Sequence, residues 1–124
     1  MRDLTLVLPG RAAAGPEVWE ALGRNGINVE GGTAFLRESH RVIHVLVNDQ
    51  DESRATEALA GAGLFLVDNR EVLVVPVEDR PGVAGEVTRK ILEAGITSYI
   101  MYLATNNRLV LGVDDLEAAR RVLT

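Results

Sequence analysis

The chain has 124 residues, of which 47% are hydrophobic and 25% are charged, enough to form the core of one medium-sized domain or of two very small ones. A net charge of −5 with scattered basic residues argues against a nucleic-acid partner, and the absence of cysteine excludes disulfides, iron–sulfur clusters and thiolate zinc sites. Because no apolar run reaches the ~20 residues of a membrane span and the N-terminal sequence does not form a signal peptide, we expect a soluble, cytoplasmic protein without a membrane partner.

The first half of the chain is predicted to form a strand, a helix, two strands, a helix and a short strand. Residues 4–9 (LTLVLP) are nearly all apolar and form the first strand of this series. The helix over residues 17–26 places Val18, Ala21 and Leu22 on one stripe and ends at Gly26. The four remaining elements are predicted at residues 27–36, 41–48, 51–62 and 63–67.

The second half repeats this order but stops one strand short. Residues 71–77 (EVLVVPV) predict a strand, and a helix beginning at Pro81 and ending at Gly95 follows it. This helix has its apolar residues on one stripe: Val83, Val87, Ile91 and Ala94. Two strands and a final helix are predicted at residues 98–105, 108–113 and 114–123.

The two halves align when the sequence is shifted by 69 residues. Leu4 then falls on Leu73, and Gly26-Ile27 falls on Gly95-Ile96. Similarity at a fixed offset indicates two copies of one supersecondary unit, over residues 1–68 and 69–124. The predicted fold is α+β, with two tandem ferredoxin-like βαββαβ units that have antiparallel sheets and helices on one face. The second unit is predicted to lack its last strand.

Two further expectations concern pairing and assembly. Asp68-Asn69 is suited to a two-residue hairpin turn, so we expect residues 64–67 to pair with the first strand of the second half. The strands are apolar on both faces, as in sheets that are covered on both sides. Since helices cover one face only, we expect a homodimer that packs through the open sheet face.

The junction before the second-half helix is the most informative local feature. Pro81 fits the first position of a helix, and Gly82 allows a ligand to approach the backbone. The first turn of a helix offers unpaired N–H groups to a carboxylate, and Asp79 could attract an ammonium group. The same residues also fit an ordinary cap and turn, and local chemistry alone favours this second interpretation.

The sequence DRPGVAGEV (79–87), followed by EAGI (93–96), resembles the ACT domain. The first half resembles the same family in ALGRNGINVEGG (21–32), although its junction is divergent and has no aspartate at the matching position. The resemblance implies a βαββαβ regulatory module, in most cases an amino-acid sensor. It also implies that a ligand sits where this loop meets the second strand of a neighbouring unit. The implied ligand-binding residues are Asp79, Arg80, Pro81, Gly82, Val83, Asn28, Val29, Glu30, Ser98, Tyr99 and Ile100.

Other candidate sites are weaker. His40 and His44 have the even spacing that puts two residues on one face of a strand, but no cysteine or tight carboxylate cluster accompanies them. Ser39 adjoins His40, and neighbours on a strand point to opposite faces, so a Ser-His nucleophile is not supported. We therefore predict no catalytic residue, no metal site and no cofactor.

The sequence thus favours a regulatory protein that binds an amino acid, has no catalytic activity and signals through subunit or partner contacts, with a metabolic enzyme as a possible partner. One alternative is a ligand-free regulatory subunit that docks a metabolic enzyme through its apolar sheet face. The third hypothesis is a small enzyme, and the lack of a nucleophile paired with a base argues against it.

Overall fold

The computed structural model describes residues 1–11 and 14–124. These residues divide into two compact units, Met1–Arg70 and Glu71–Thr124. The first six main elements are β1 (Arg2–Pro9), α1 (Ala14–Arg24), β2 (Gly31–Arg37), β3 (His40–Val47), α2 (Glu52–Gly61) and β4 (Asp68–Glu71), with a 3-10 turn at Asp49–Asp51. They are followed by β5 (Leu73–Pro76), α3 (Val83–Glu93), β6 (Ser98–Ala104), β7 (Arg108–Val113) and α4 (Leu116–Leu123).

The first unit is a complete βαββαβ module. Its strands lie in the order β4-β1-β3-β2, and β3 is antiparallel to both β1 and β2. Alternate residues of β1 and β3 point to one side of the sheet, where they pack with both helices. The core of the unit contains Leu4, Leu6, Leu8, Val18, Ala21, Leu22, Ile43, Val45, Val47, Ala55 and Leu59. Because both helices contribute to this single cluster, the prediction of helices on one face is confirmed.

The second unit has the order β6-β7-β5, with β7 antiparallel to both neighbours. Its core brings together buried residues of β5, β7, α3 and α4, with Ile96 after α3: Leu73, Ile91, Ile96, Leu111 and Ala119. All residues of this unit are described, and no strand follows α4 within them. The α+β class and the shortened second unit are therefore confirmed.

The expected pairing of the last strand of the first half is wrong. The strand is β4 at Asp68–Glu71, where a turn was expected, and it pairs with β1 of its own unit. Arg2 fixes this edge, since its Nε donates to Asn69 Oδ1 at 3.0 Å, and the Val67 N–H donates to the Thr5 carbonyl at 2.8 Å. The last strand of the first half therefore pairs with the edge of β1, and β5 pairs with β7.

The ends of α1 and α3 are built alike. Gly26 and Gly95 have positive φ values of 69° and 73°, which a residue with a side chain rarely adopts. Immediately after each glycine, the N–H of Ile27 or Ile96 donates back to Leu22 or Ile91 at 3.1 Å. This is the Schellman arrangement, and it confirms both predicted helix stops.

The face of the first unit opposite its helices is mixed in character. Val7 lies beside Val42 and Val42 beside Phe35, which gives an apolar row across three strands. Val7 is 41% exposed and Phe35 45% exposed. The next positions along the same face, Asp3, Thr5 and His44, are polar. This face is therefore apolar at one end and hydrogen-bonded at the other.

No helix in the described parts of the chain combines the length and the apolar character that crossing a bilayer requires.

Candidate functional site

A hollow of about 280 Å³ lies beside the start of α3. It is formed by the loop after β5, the first turn of α3, the end of β6 and the turn between β6 and β7. The described residues that line it all belong to the second unit: Val77, Glu78, Asp79, Arg80, Gly82, Val83, Ala84, Gly85, Leu103 and Asn107. The junction singled out from the sequence therefore opens onto a cavity.

The first turn of α3 is not capped by a side chain. Gly82 precedes the helix with φ 86°, and no side chain makes a capping hydrogen bond there. The Glu86 N–H donates to the Gly82 carbonyl at 3.1 Å, and the Val83 N–H reaches the Arg80 carbonyl at 3.5 Å. Within the described residues, the N–H groups of Ala84 and Gly85 have no acceptor, so this turn can receive an anion.

Pro81 is not the first helical residue, which corrects the sequence prediction. It lies in a turn, and the helix begins at Val83 because Gly82 has a left-handed conformation that no helix contains. Pro81 does not appear among the residues lining the hollow. Asp79 lines the hollow and is exposed, and it makes no capping bond to the helix.

Arg80 fastens the loop to the helix. Its guanidinium donates to both carboxylate oxygens of Glu86 at 2.8 and 2.6 Å, and its Nε donates to Glu78 at 3.0 Å. The hydrogen bond from Arg80 lowers the pKa of Glu86, and the hydrogen bonds to Glu86 and Glu78 raise the pKa of Arg80. The charge of Arg80 is therefore neutralised within the protein before any ligand arrives.

The first unit has a matching ion pair that the sequence analysis missed. Arg11 donates to both carboxylate oxygens of Glu17 at 3.2 and 3.0 Å. Arg11 and Glu17 each precede Arg80 and Glu86 by 69 residues. The 69-residue offset was the signal that could have revealed this pair.

The predicted second-strand residues do not line the hollow. Ser98, Tyr99 and Ile100 lie at the start of β6, where the Ser98 hydroxyl donates to the Ile100 carbonyl at 3.2 Å. The strand residue in the lining is instead Leu103, near the end of β6, with Asn107 from the following turn. No local pattern in the sequence indicates which residue of β6 reaches the hollow.

Asn28, Val29 and Glu30 belong to the first unit and precede β2. The Asn28 side-chain amide donates to the Glu30 carboxylate. Val29 packs against the core of the first unit, and the Glu30 N–H donates to the Leu46 carbonyl at 2.9 Å. Inside the first unit these residues therefore have structural contacts of their own.

His44 lies in a hydrogen-bonded cluster on the open face of the first unit. Its Nδ1 is 2.9 Å from Asp3 Oδ2 and 3.2 Å from Thr5 Oγ1, and the Thr5 hydroxyl donates to Asp3 at 3.0 Å. Asp3 is 4% exposed, so its carboxylate is held by these neighbours. Across residues 1–11 and 14–124, no three His, Asp or Glu side chains are placed to hold a metal ion.

Comparison with known proteins gives matches at the level of structure. No protein-family model and no curated protein matches the chain. A protein from Bacteroides thetaiotaomicron matches with a TM-score of 0.83 and 22% identity over 98% of this chain and 85% of its own. The ligand-free regulatory subunit of aspartate kinase from Thermus thermophilus matches with a TM-score of 0.76 and 18% identity, over 98% and 87% of the two chains.

The regulatory subunit of aspartate kinase from Thermus flavus gives a TM-score of 0.71 at 19% identity, over 98% of this chain and 89% of its own. These identities establish a likeness of fold. The chain has the tandem ACT-type fold that the aspartate kinase regulatory subunits share.

Proposed function

We propose that this chain is a regulatory protein that binds an amino acid in the hollow beside α3 and has no catalytic activity of its own. The observation that carries the proposal is the uncapped first turn of α3 facing a cavity of about 280 Å³. A cavity of this volume suits a small molecule. We place its action in the cytoplasm, with signalling through contacts to another subunit or to a metabolic enzyme.

The polar groups of the hollow fit the two charged ends of an amino acid. The Ala84 and Gly85 N–H groups are free to donate to a carboxylate, and the positive end of the helix dipole favours the same charge. Asp79 lines the same cavity and is the candidate partner for the ammonium group. Arg80 holds the loop in place through Glu86 rather than contacting the ligand.

The fold supports this assignment. Two of the matching structures are regulatory subunits of aspartate kinase, a kinase of an amino acid. An enzyme of amino-acid metabolism is therefore the partner class that we propose. The binding would act through a different ligand affinity in two arrangements of the subunits or of the partner.

We also propose a homodimer that packs through the open sheet face of the first unit. The row formed by Val7, Val42 and Phe35 would be the apolar centre of the contact. In a dimer of this kind, a neighbouring unit could bring either Asn28–Glu30 or Ser98–Ile100 to the hollow, as the ACT resemblance implies. Phe35→Glu should then give a monomer by sedimentation, whereas Leu92→Glu on α3 should leave the mass unchanged.

Titration calorimetry with each of the twenty amino acids tests the binding proposal. The wild-type chain should bind at least one of them with saturation, and Asp79→Asn should weaken that binding. If none binds, the sensing function is wrong. The remaining candidate is then a ligand-free subunit that docks an enzyme through the face carrying Val7 and Phe35, which are both exposed.

A further inference from the structure

Resting on the proposed function, we infer that the ligand is an α-amino acid with an uncharged aliphatic side chain, such as valine, leucine or isoleucine. The proposed function requires only a carboxylate and an ammonium group. The additional information comes from the rest of the lining, where the apolar groups and the pairing of the charged groups select among side chains.

Part of the lining is apolar. Leu103 comes from β6, Val77 from the loop after β5, and Val83 from the first turn of α3. Leu103 is 66% exposed, so most of its side chain is left uncovered by the chain's own residues. An aliphatic side chain that covers Leu103 removes apolar surface of both partners from water.

The charged groups at the hollow are three carboxylates and one guanidinium, so this region carries an excess of negative charge. Arg80 donates to Glu78 at 3.0 Å and to Glu86 at 2.8 and 2.6 Å, so these two carboxylates share one cation. Asp79 has no such ion pair in the described parts of the chain. Asp79 is therefore the carboxylate available to the α-ammonium of the ligand.

This balance disfavours charged side chains. The carboxylate of aspartate or glutamate would meet no unpaired cation in the lining and would be repelled by Asp79. The second cation of lysine or arginine would have to compete with Arg80 for Glu78 or lie against the apolar residues of the lining. Leaving a charge desolvated and unpaired is costly, whereas a side chain of carbon and hydrogen leaves nothing unpaired.

The test compares three proteins in calorimetric titrations at one pH and salt concentration: wild type, Leu103→Glu and Leu92→Glu. Leu92 is the control because it has a similar exposure of 63% and lies on α3 outside the hollow. The ligands are L-valine, L-leucine, L-isoleucine, L-aspartate, L-glutamate, L-lysine and L-arginine.

For the wild type, we expect the best aliphatic ligand to bind at least tenfold more tightly than any charged one. Leu103→Glu should weaken aliphatic binding at least tenfold and bring lysine or arginine above it, while Leu92→Glu should behave like the wild type. Tighter wild-type binding of a charged amino acid would overturn the ligand class and leave the proposed function standing. Unchanged aliphatic affinity in Leu103→Glu would also overturn it, and the absence of any binding would overturn both.

Discussion

Arg80 and Glu86 form a two-pronged ion pair, with N–O distances of 2.8 and 2.6 Å, that ties the loop after β5 to the first turn of α3. Arg11 and Glu17 form the same pair 69 residues earlier in the chain. Both copies of the repeat thus have the same ion pair at the strand-to-helix junction, although other residues of that junction differ. In the second unit, this ion pair holds the loop that lines the hollow against α3.

The first prediction concerns the titration of Glu86. Arg80 lowers the pKa of Glu86, so the wild-type carboxyl should titrate below its ordinary value of 4.5. In Arg80→Gln the midpoint should return toward that value, while Arg11→Gln should leave it unchanged. The carboxyl ¹³C shift of Glu86, followed by NMR from pH 7 to pH 2, gives the three midpoints.

The direction of the stability effect follows from this shift. A carboxyl whose pKa is lowered by folding stabilises the folded state above its ordinary pKa, and the contribution is lost as the pH falls through the lowered value. The difference in unfolding free energy between wild type and Arg80→Gln should therefore shrink between pH 6 and pH 2. A difference that grows as the pH falls would contradict the assignment.

The second prediction separates binding from stability at Asp79. This carboxylate is exposed and makes no capping bond, so Asp79→Asn should leave the melting temperature nearly unchanged. Its proposed contact to the ligand ammonium should be lost, which lowers amino-acid affinity about tenfold, or about 1.4 kcal/mol. Glu93→Gln at the other end of α3 is the matched control and should bind normally. Equal affinities in the two variants would remove Asp79 from the site.

The third prediction uses two helical glycines, Gly85 in α3 and Gly23 in α1. An added methyl group at either position meets no atom within 4 Å. Each Gly→Ala change should therefore raise the unfolding free energy by about 0.5–1 kcal/mol, because alanine loses less backbone entropy in a helix. Gly85 lines the hollow and Gly23 does not, so only Gly85→Ala should weaken ligand binding. Denaturant unfolding and calorimetry on both variants measure the two effects separately.

The fourth prediction concerns two glycines that lie in strands. A methyl group at Gly32 would come within 2.4 Å of the His44 carbonyl oxygen, and one at Gly112 within 2.5 Å of a methyl group of Ile100. Side chains can move more easily than a paired backbone, so Gly32→Ala should be the more destabilising change. We expect losses of about 1–3 kcal/mol, with Gly32→Ala at the upper end, measured by urea unfolding. The opposite order would show that the β2–β3 pair yields more easily than the side chains around Gly112.

Much of the fold could be predicted because its signals are local and periodic. The stripe of Val18, Ala21 and Leu22, and the glycines at positions 26 and 95, define the two equivalent helices and their ends. The position of β4 could not be predicted in this way. Asp68–Glu71 is a polar sequence that is typical of a turn. Its strand conformation depends on hydrogen bonds to β1, which is distant in sequence.

The candidate site was predictable only on its loop side. Asp79, Gly82 and Val83 belong to one continuous segment, and all three line the hollow. The opposite side depends on the register of β6 and on the turn that follows it. That register has an irregularity between Ser98 and Ile100, and Asn106 and Asn107 turn with positive φ values of 60° and 53°. These features place Leu103 and Asn107 at the hollow, and no local pattern encodes them.

The central claim is that an amino acid binds with its carboxylate on the first turn of α3. Amide ¹H–¹⁵N spectra of the wild-type chain, recorded during titration with each of the twenty amino acids, test this claim most directly. For at least one amino acid, the Ala84 and Gly85 amide signals should shift and saturate, together with that of Leu103. If every amino acid leaves these signals in place, or if saturable shifts occur only elsewhere in the chain, the account is wrong.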